Sequence, residues 1–294
     1  MFGRSTGDVL GPAVAGTWYP ADGPGLQRQV DDLFRQADDA AGGATPEPGV
    51  TALIAPHAGF VYSGLVAARG FRLLDTTDVE RVVLLGPSHY AAFDGAVLPE
   101  ATIYRTPLGD VPIDIEAISA LRERDGFRID GGPFAPEHCL EAEIPFLQRH
   151  LDAGWRLLPL LVGGLAGPGS EDRLATGLRP LLEPGTLVVV SSDFTHYGPR
   201  FRYVPFSEDV PQRIEQLDMG AIERILGCDT AGFDSYVART GATICGRHPI
   251  GVLLRLMPEA LSGRMAAYDT SGRITGEWDH SVSYASIVFR HATS

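Results

Sequence analysis

Three apolar segments of the sequence lead into polar residues that can bind a metal ion or transfer a proton. The segments and the residues after them are ALIAP followed by His57, VVLLGPS followed by His89, and LVVVSS followed by Asp193 and then His196. Short, fully apolar runs of this kind are typical of strands that are buried on both faces of a sheet. In an open α/β sheet, ligands bind beyond the carboxyl ends of the strands. We therefore expect these four side chains to share one cleft, although they are far apart in the sequence.

A fourth segment, TGATICGRHPIG, places Cys245 where a loop leads into a predicted helix. The unpaired N–H groups at a helix N-terminus lower the pKa of a cysteine there, because they stabilise the thiolate. The thiolate is the form of cysteine that binds metal or attacks carbon. The pattern predicts that Cys245 is a ligand or a nucleophile, while the alternative is the ordinary role of a free cysteine as a small core residue.

Each histidine also has a simpler interpretation as a structural residue, which is the more common role of an isolated histidine. Several chemically competent residues at equivalent strand ends favour a functional site over separate structural roles. His138 is an intermediate case, because the segment Glu137-His138-Cys139 is followed by Glu141. On a helix, His138 and Glu141 would lie one turn apart on the same face, and this suits either a site or a solvated helix start.

The apolar runs alternate with segments of helical spacing, which predicts an α/β fold. Strands are expected at 53–55, 82–85, 157–162, 187–190, 264–270 and 281–289. Helices are expected at 25–39, 63–74, 114–124, 137–151 with a kink or a late start at Pro145, 171–182, 210–226 and 246–256. The Gly/Pro-rich stretch at 40–49 is short enough to be a loop. We predict a single three-layer domain over residues 1–294, with a central sheet that is mostly parallel or mixed.

Composition and charge exclude several classes of protein. The 294 residues are 44% hydrophobic and 21% charged, values that are typical of globular proteins. The net charge of −13 argues against nucleic-acid and membrane-surface binding, because both partners are anionic. No apolar run is long enough to span a bilayer, and the N-terminus lacks the apolar core of a secretion signal. Three cysteines do not suit a secreted disulfide framework, so we expect a cytoplasmic protein.

The motifs around the candidate site residues belong to a longer ordered series. The series is AGTWYPAD, APHAGFVYSG, LLGPSHY, EHCLEAEIPFLQ, SSDFTHYG, TGATICGRHPIGVLL and SVSYAS, and it extends over residues 15–286. In this order and combination the motifs resemble the Memo-like family, which is also called AmmeMemoRadiSam system protein B. The resemblance covers nearly the whole chain. It implies a fold like that of the class III extradiol dioxygenases, with one α/β domain and a metal-type site.

The resemblance also implies roles for individual residues. His57, His89 and Cys245 match the metal-binding positions of the family. Asp193 and His196 match further residues of the same cleft, and His196 matches the acid/base histidine of the related dioxygenases. Those dioxygenases hold Fe(II) with two histidines and a carboxylate, whereas this chain has Cys245 at the place of the carboxylate. Because a thiolate is softer, the implied metal is iron or copper, with zinc as a further option.

Three hypotheses for function follow. The first is a metal-dependent redox enzyme of dioxygenase type acting on a phenolic small molecule, in which His196 moves a proton and Asp193 orients it or completes the metal shell. The second is a non-catalytic metal-binding adaptor with a cleft for phosphorylated peptides, which the acidic charge makes less attractive. The third is metal-free catalysis, with Cys245 as nucleophile and His196 as base. The resemblance further implies radical-SAM and AMMECR1-like proteins as partners.

Overall fold

Strands and helices alternate along the chain in the computed structural model, which describes residues 8–40, 46–164, 167, 169–256 and 261–291. The helices are α1 (Gly23–Ala40), α2 (Phe60–Phe71), α3 (Ile115–Leu121), α4 (Ile144–His150), α5 (Ser170–Leu178), α6 (Val210–Leu226), α7 (Thr230–Thr240), α8 (Arg247–Leu256) and α9 (Ser271–Thr275). The strands are β1 (Val9–Leu10), β2 (Val50–Ala55), β3 (Arg81–Pro87), β4 (Ala96–Leu98), β5 (Ile103–Thr106), β6 (Gly109–Pro112), β7 (Phe127–Ile129), β8 (Arg156–Val162), β9 (Thr186–Ser191), β10 (His196–Tyr197), β11 (Leu261–Thr270) and β12 (Ser281–His291).

A mixed sheet forms the centre of the molecule. Its strand order is β10-β12-β2-β9-β3-β8-β4-β7, and β11 pairs with β12. The adjacent strands β2, β9, β3 and β8 are parallel, whereas β12 runs antiparallel to β2 and β4 runs antiparallel to β8. The parallel strands are buried along almost their whole length, which explains why they are apolar without alternation. A smaller sheet has the order β1-β5-β6.

Helices cover both faces of the central sheet. On one face, α2 contacts β2 and β12 and packs against α1 and α4, and the Ser286 hydroxyl of β12 donates to the carbonyl of Val66 in α2. On the other face, α6 contacts β11 and β12, where Leu226 and Phe289 both approach Gly263. Residues 286 and 289 are an odd number apart in β12, so their side chains point to opposite faces. The predicted α/β fold with helices on both sides of a mixed sheet is confirmed.

The predicted elements differ from the observed ones mainly at their ends. The helix expected at 210–226 has those bounds, whereas the helix expected at 137–151 starts late, at Ile144, with Pro145 in its first turn. The sequence analysis missed the short strands β4 to β7 and the helices α7 and α9. Of the predicted loop at 40–49, residues 41–45 lie outside the described residues. None of the described helices combines the length and the apolar character that a membrane crossing requires.

Candidate metal centre

The candidate site lies at one edge of the sheet, where three neighbouring strands end. Strands β2, β9 and β3 are adjacent and parallel, so their carboxyl ends meet at the same edge. His57, Asp193 and His89 each follow one of these strands by two residues. The ring centroids of His57 and His89 are 5.2 Å apart, and the His57 backbone N–H donates to Asp193 Oδ1 at 3.0 Å. The fold therefore brings together residues that are 136 positions apart in the chain.

His57 is buried, and its Nδ1 contacts the hydroxyl of a serine. The distance from His57 Nδ1 to Ser191 Oγ is 2.8 Å, and the same hydroxyl lies 2.7 Å from the Cys139 carbonyl and 2.8 Å from Glu143 Oε1. Because the hydroxyl has these acceptors for its own proton, it can accept Nδ1–H of His57, and Nε2 keeps a free lone pair. Burial, followed by the charges of neighbouring histidines, lowers the pKa of His57 well below its usual value. The ring is therefore neutral, which is the form that binds metal.

A buried glutamate supports His89 in the same way. Glu137 Oε1 is 2.9 Å from His89 Nδ1, and Glu137 Oε2 accepts the His89 backbone N–H at 2.8 Å. Oε1 also accepts the backbone N–H groups of His138 and Cys139. Burial acts to raise the pKa of Glu137, but the hydrogen bonds and charge of His89 outweigh it and the pKa is lowered. The carboxylate fixes Nδ1 of His89 as the donor and leaves Nε2 free.

His138 is a further member of the cleft, which the sequence analysis left as an intermediate case. Its ring stacks on that of His89 with centroids 4.6 Å apart, and it meets the edge of Trp18 at 4.4 Å. Burial, followed by the charge of His89, lowers the pKa of His138 to about 4, so this ring is neutral as well. The one available signal was the adjacency of Glu137, His138 and Cys139 in the sequence.

The pairing of His138 with Glu141 on one helix face is wrong, because the chain forms turns before α4 begins at Ile144. Glu141 points elsewhere and holds the N-terminal segment. Its carboxylate accepts the backbone N–H groups of Ala13 at 2.5 Å and Val14 at 3.1 Å, together with the hydroxyl of Tyr19. This buried carboxylate is a structural anchor for the segment that carries Trp18, and it is not a member of the cleft.

Cys245 lies just before α8, as predicted, and its thiol reaches the cleft. The distance from Cys245 Sγ to His57 Nε2 is 3.4 Å, and Sγ accepts the backbone N–H of Asp193 at 3.2 Å. The neighbouring Gly246 N–H donates to Ser192 Oγ at 3.0 Å, which ties this loop to the end of β9. The expected lowering of the thiol pKa is wrong. Burial, followed by the negative charge of Asp193, raises the pKa of Cys245 and outweighs the backbone N–H groups.

His196 borders the same cleft from β10. Its Nδ1 is 2.9 Å from the carbonyl of Phe194 and 3.1 Å from that of Thr243. These carbonyls can only accept, so Nδ1 carries the proton and Nε2 is free to accept one. Burial raises the pKa of Asp193, while the charge of His196 acts in the opposite direction, so the two groups interact. His196 thus lies beside the cleft with Nδ1 held by backbone carbonyls, and its charge interacts with Asp193, which accepts the His57 backbone N–H.

Two groups of side chains in the described residues bring ligand atoms within 4.8 Å of one another and can hold a metal ion. They are His57 with His89 and His138, and His89 with Glu137 and Cys139. Cys245 belongs to neither group, although its Sγ approaches His57 closely. A nitrogen at ~2.0 Å and a sulfur at ~2.3 Å from one tetrahedral zinc ion are ~3.5 Å apart. The observed 3.4 Å between His57 Nε2 and Cys245 Sγ therefore fits two ligands of one ion.

Comparisons with solved structures support the fold. A crystal structure of an uncharacterized protein from Escherichia coli K12 matches with a TM-score of 0.51 and 11% sequence identity. The match covers 81% of this chain and 99% of that chain. At this identity, the likeness extends to the fold alone.

Comparisons of sequence identify the family. Proteins named MEMO1 from Danio rerio and Homo sapiens are each 35% identical to this chain, and each match covers 92% of this chain and 94% of the relative. A protein named memo-1 homolog from Caenorhabditis elegans is 34% identical, over 94% of this chain and 81% of the relative. A family model described as Memo-like protein matches residues 11–288. The chain therefore belongs to the Memo-like family.

Proposed function

We propose that this protein binds iron or copper through His57, His89 and Cys245 and uses it in a dioxygenase-like reaction on a phenolic small molecule. One observation carries the proposal. Both histidines have Nδ1 engaged by a buried oxygen, which leaves Nε2 as the nitrogen that can bind metal, and this arrangement is typical of metal-binding histidines. The Cys245 thiol lies 3.4 Å from Nε2 of His57.

The donor set fits a redox-active ion. Two imidazoles and one thiolate suit copper(I), zinc and iron, and zinc itself has no redox chemistry. When bound, iron or copper supplies electron exchange between oxygen and an electron-rich substrate. Because the raised pKa keeps the Cys245 thiol protonated in the metal-free protein, Cys245 must release a proton when it becomes a ligand.

His196 and Asp193 supply the proton chemistry in this proposal. His196 Nδ1 donates to a backbone carbonyl, so its Nε2 can take the proton of a phenolic hydroxyl in the cleft. A positioned base of this kind typically contributes ~10²–10⁴-fold to the rate. The carboxylate of Asp193 accepts the His57 backbone N–H and interacts favourably with a positively charged His196. Asp193 thus holds the loop of one ligand and stabilises the protonated base.

The test is metal analysis of anaerobically purified protein, followed by oxygen uptake with catechol and substituted catechols. Near-stoichiometric iron or copper with catechol-dependent oxygen uptake supports the proposal. His196→Ala should keep the metal and lose most of the uptake. His248→Ala is the matched control, because His248 pairs with Glu171 at 2.9 Å and is outside the candidate donor groups. Bound metal without uptake would favour the adaptor, and absence of metal with an alkylatable Cys245 would favour the nucleophile.

The proposal extends to partners and location. The family resemblance supports association with radical-SAM and AMMECR1-like proteins, and the cysteine content supports a cytoplasmic location. The direct check is co-expression of the three proteins from one host, followed by size-exclusion chromatography. Co-elution with either partner supports the extension, and separate elution of all three contradicts it.

A further inference from the structure

A cavity lies between α1, α2 and the junction of β11 with α9. It has a volume of about 620 Å³, within the range of small-molecule sites. None of His57, His89 and Cys245 lines it. The cavity is therefore separate from the candidate metal ligands.

The cavity has one largely apolar wall. Phe60 and Leu65 of α2 and Leu33 of α1 are among the apolar residues of its lining. At its rim, Val61 is 72% exposed and Ile274 is 44% exposed. Exposed branched aliphatic side chains beside a concave surface indicate that the apolar surface continues from the cavity to its mouth.

Two polar side chains in the lining have atoms that are shielded from water without a hydrogen-bond partner among the described residues. These atoms are Nε of Arg69, a donor, and Oε1 of Gln29, an acceptor. Buried polar groups in native proteins are nearly always paired, so these two side chains beside the cavity have hydrogen-bonding capacity that the described residues leave unused. Arg69 and Gln29 lie on neighbouring helices, α2 and α1, and border the same space.

Arg69 differs from the other arginines of this region. Arg35 pairs with Asp32, and Arg72 forms a bidentate salt bridge with Asp38. Within the described part of the chain, Arg69 forms no ion pair, although Asp32 lines the same cavity. An unpaired guanidinium in a partly buried position is a ready site for a carboxylate, which it can bind with two parallel hydrogen bonds.

We propose that this cavity binds a small monocarboxylate with an apolar body, with the carboxylate on Arg69 and the body against Phe60, Leu65 and Leu33. Asp32 and Asp269 also line the cavity, and their negative charges act against a dianionic phosphate more than against a singly charged carboxylate. The apolar wall selects for a hydrophobic body over a fully polar acid.

The probe for this proposal is 3-phenylpropanoate, titrated by calorimetry into metal-free protein, with 3-phenylpropanol and acetate as comparison compounds. We expect saturable binding of 3-phenylpropanoate and much weaker binding of both comparison compounds. Arg69→Gln should weaken the binding at least about tenfold, because it removes the guanidinium that pairs with the carboxylate. Arg28→Gln is the matched control, since Arg28 is exposed on α1 and does not line the cavity. It should leave the affinity unchanged.

If Arg69→Gln does not fold, the same proposal can be tested on the wild-type protein. The Nε–H resonance of Arg69 in a ¹⁵N spectrum should shift with saturation on addition of 3-phenylpropanoate and should not shift with 3-phenylpropanol. Three results would overturn the proposal. They are absence of saturable binding, equal affinity for the acid and the alcohol, and equal affinity in the folded Arg69→Gln variant and the wild type.

Discussion

The candidate metal centre has two ends that are prepared for metal to different degrees. The histidine end consists of His57, His89 and His138, and the cysteine end consists of Cys245. The pKa values of His57 and His138 are lowered by burial, so these rings are already neutral, and their positions are fixed by hydrogen bonds or ring stacking. The pKa of the Cys245 thiol is raised, so this ligand must first lose its proton. In our proposal, the histidine end therefore supplies ligands that are already neutral, and the cysteine end supplies the soft ligand that favours copper(I).

The largest effect should come from His57→Ala, because His57 belongs to the histidine group that can hold a metal ion and its Nε2 also lies 3.4 Å from Cys245 Sγ. Removing it should lower metal affinity by more than the ~10–100-fold that is typical of losing a supporting residue. Competition with a chromophoric chelator under anaerobic conditions gives the affinity, and thermal unfolding of both proteins separates lost binding from lost folding. If the His57→Ala protein is folded and binds metal with wild-type affinity, His57 is not a metal ligand, and the metal site proposed here is wrong.

The two ends are separated by comparing Cys245→Ala with His138→Ala. We expect Cys245→Ala to lose most of its copper(I) affinity while the fold survives, because Cys245 lies at a loop-to-helix junction. His138→Ala should lose less, because in our proposal His138 supports His89 by stacking and is not a ligand. For each variant, the measurement is the ratio of its copper(I) dissociation constant to that of the wild type. The reverse order would make His138 the third ligand.

Glu137→Gln should weaken the histidine end alone. The amide can no longer act as a charged acceptor for His89 Nδ1, and a loss of this kind typically costs ~10–100-fold in metal affinity. The matched control is Glu171→Gln, because Glu171 holds His248 at the same 2.9 Å distance. Metal titrations of both variants provide the comparison, and equal affinities of the two would contradict a supporting role for Glu137.

A further difference between the two ends is the pH dependence of binding. Because the Cys245 thiol is protonated in the metal-free protein, binding as a thiolate releases a proton, and affinity should rise about tenfold per pH unit between roughly pH 6 and 8. The rings of His57 and His138 contribute little to this pH dependence, because their lowered pKa values keep them neutral in this range. Chelator competition at several pH values, corrected for protonation of the chelator, measures the slope. The slope should disappear in Cys245→Ala.

The arrangement of strand ends could be read from the sequence. Fully apolar runs mark parallel central strands, and the residues after them must lie at one edge whatever the order of the strands. This argument was sufficient to group His57, His89 and Asp193. It could not supply His138, because His138 lies in a series of turns between a short 3₁₀ helix and α4 and has no strand end to locate it.

Other features depend on contacts that no local pattern encodes. The helix N-terminus predicts a lowered pKa for Cys245, but burial beside Asp193 has the larger effect and reverses the direction. The strands β4 to β7 have only three or four residues each, too few for a periodic signal. The cavity at Arg69 arises where three separate segments meet, so the missing ion pair of Arg69 is visible only in the folded chain.

The central claim is that one ion is held jointly by His57, His89 and Cys245, and X-ray absorption spectroscopy of the zinc-loaded protein tests it most directly. Zinc serves here as a probe whose ligand distances are well defined. We expect one sulfur at ~2.3 Å and two imidazole nitrogens at ~2.0–2.1 Å, with the sulfur absent from the spectrum of Cys245→Ala. A wild-type spectrum with only nitrogen and oxygen ligands would contradict the claim and would assign the metal to the histidine end alone.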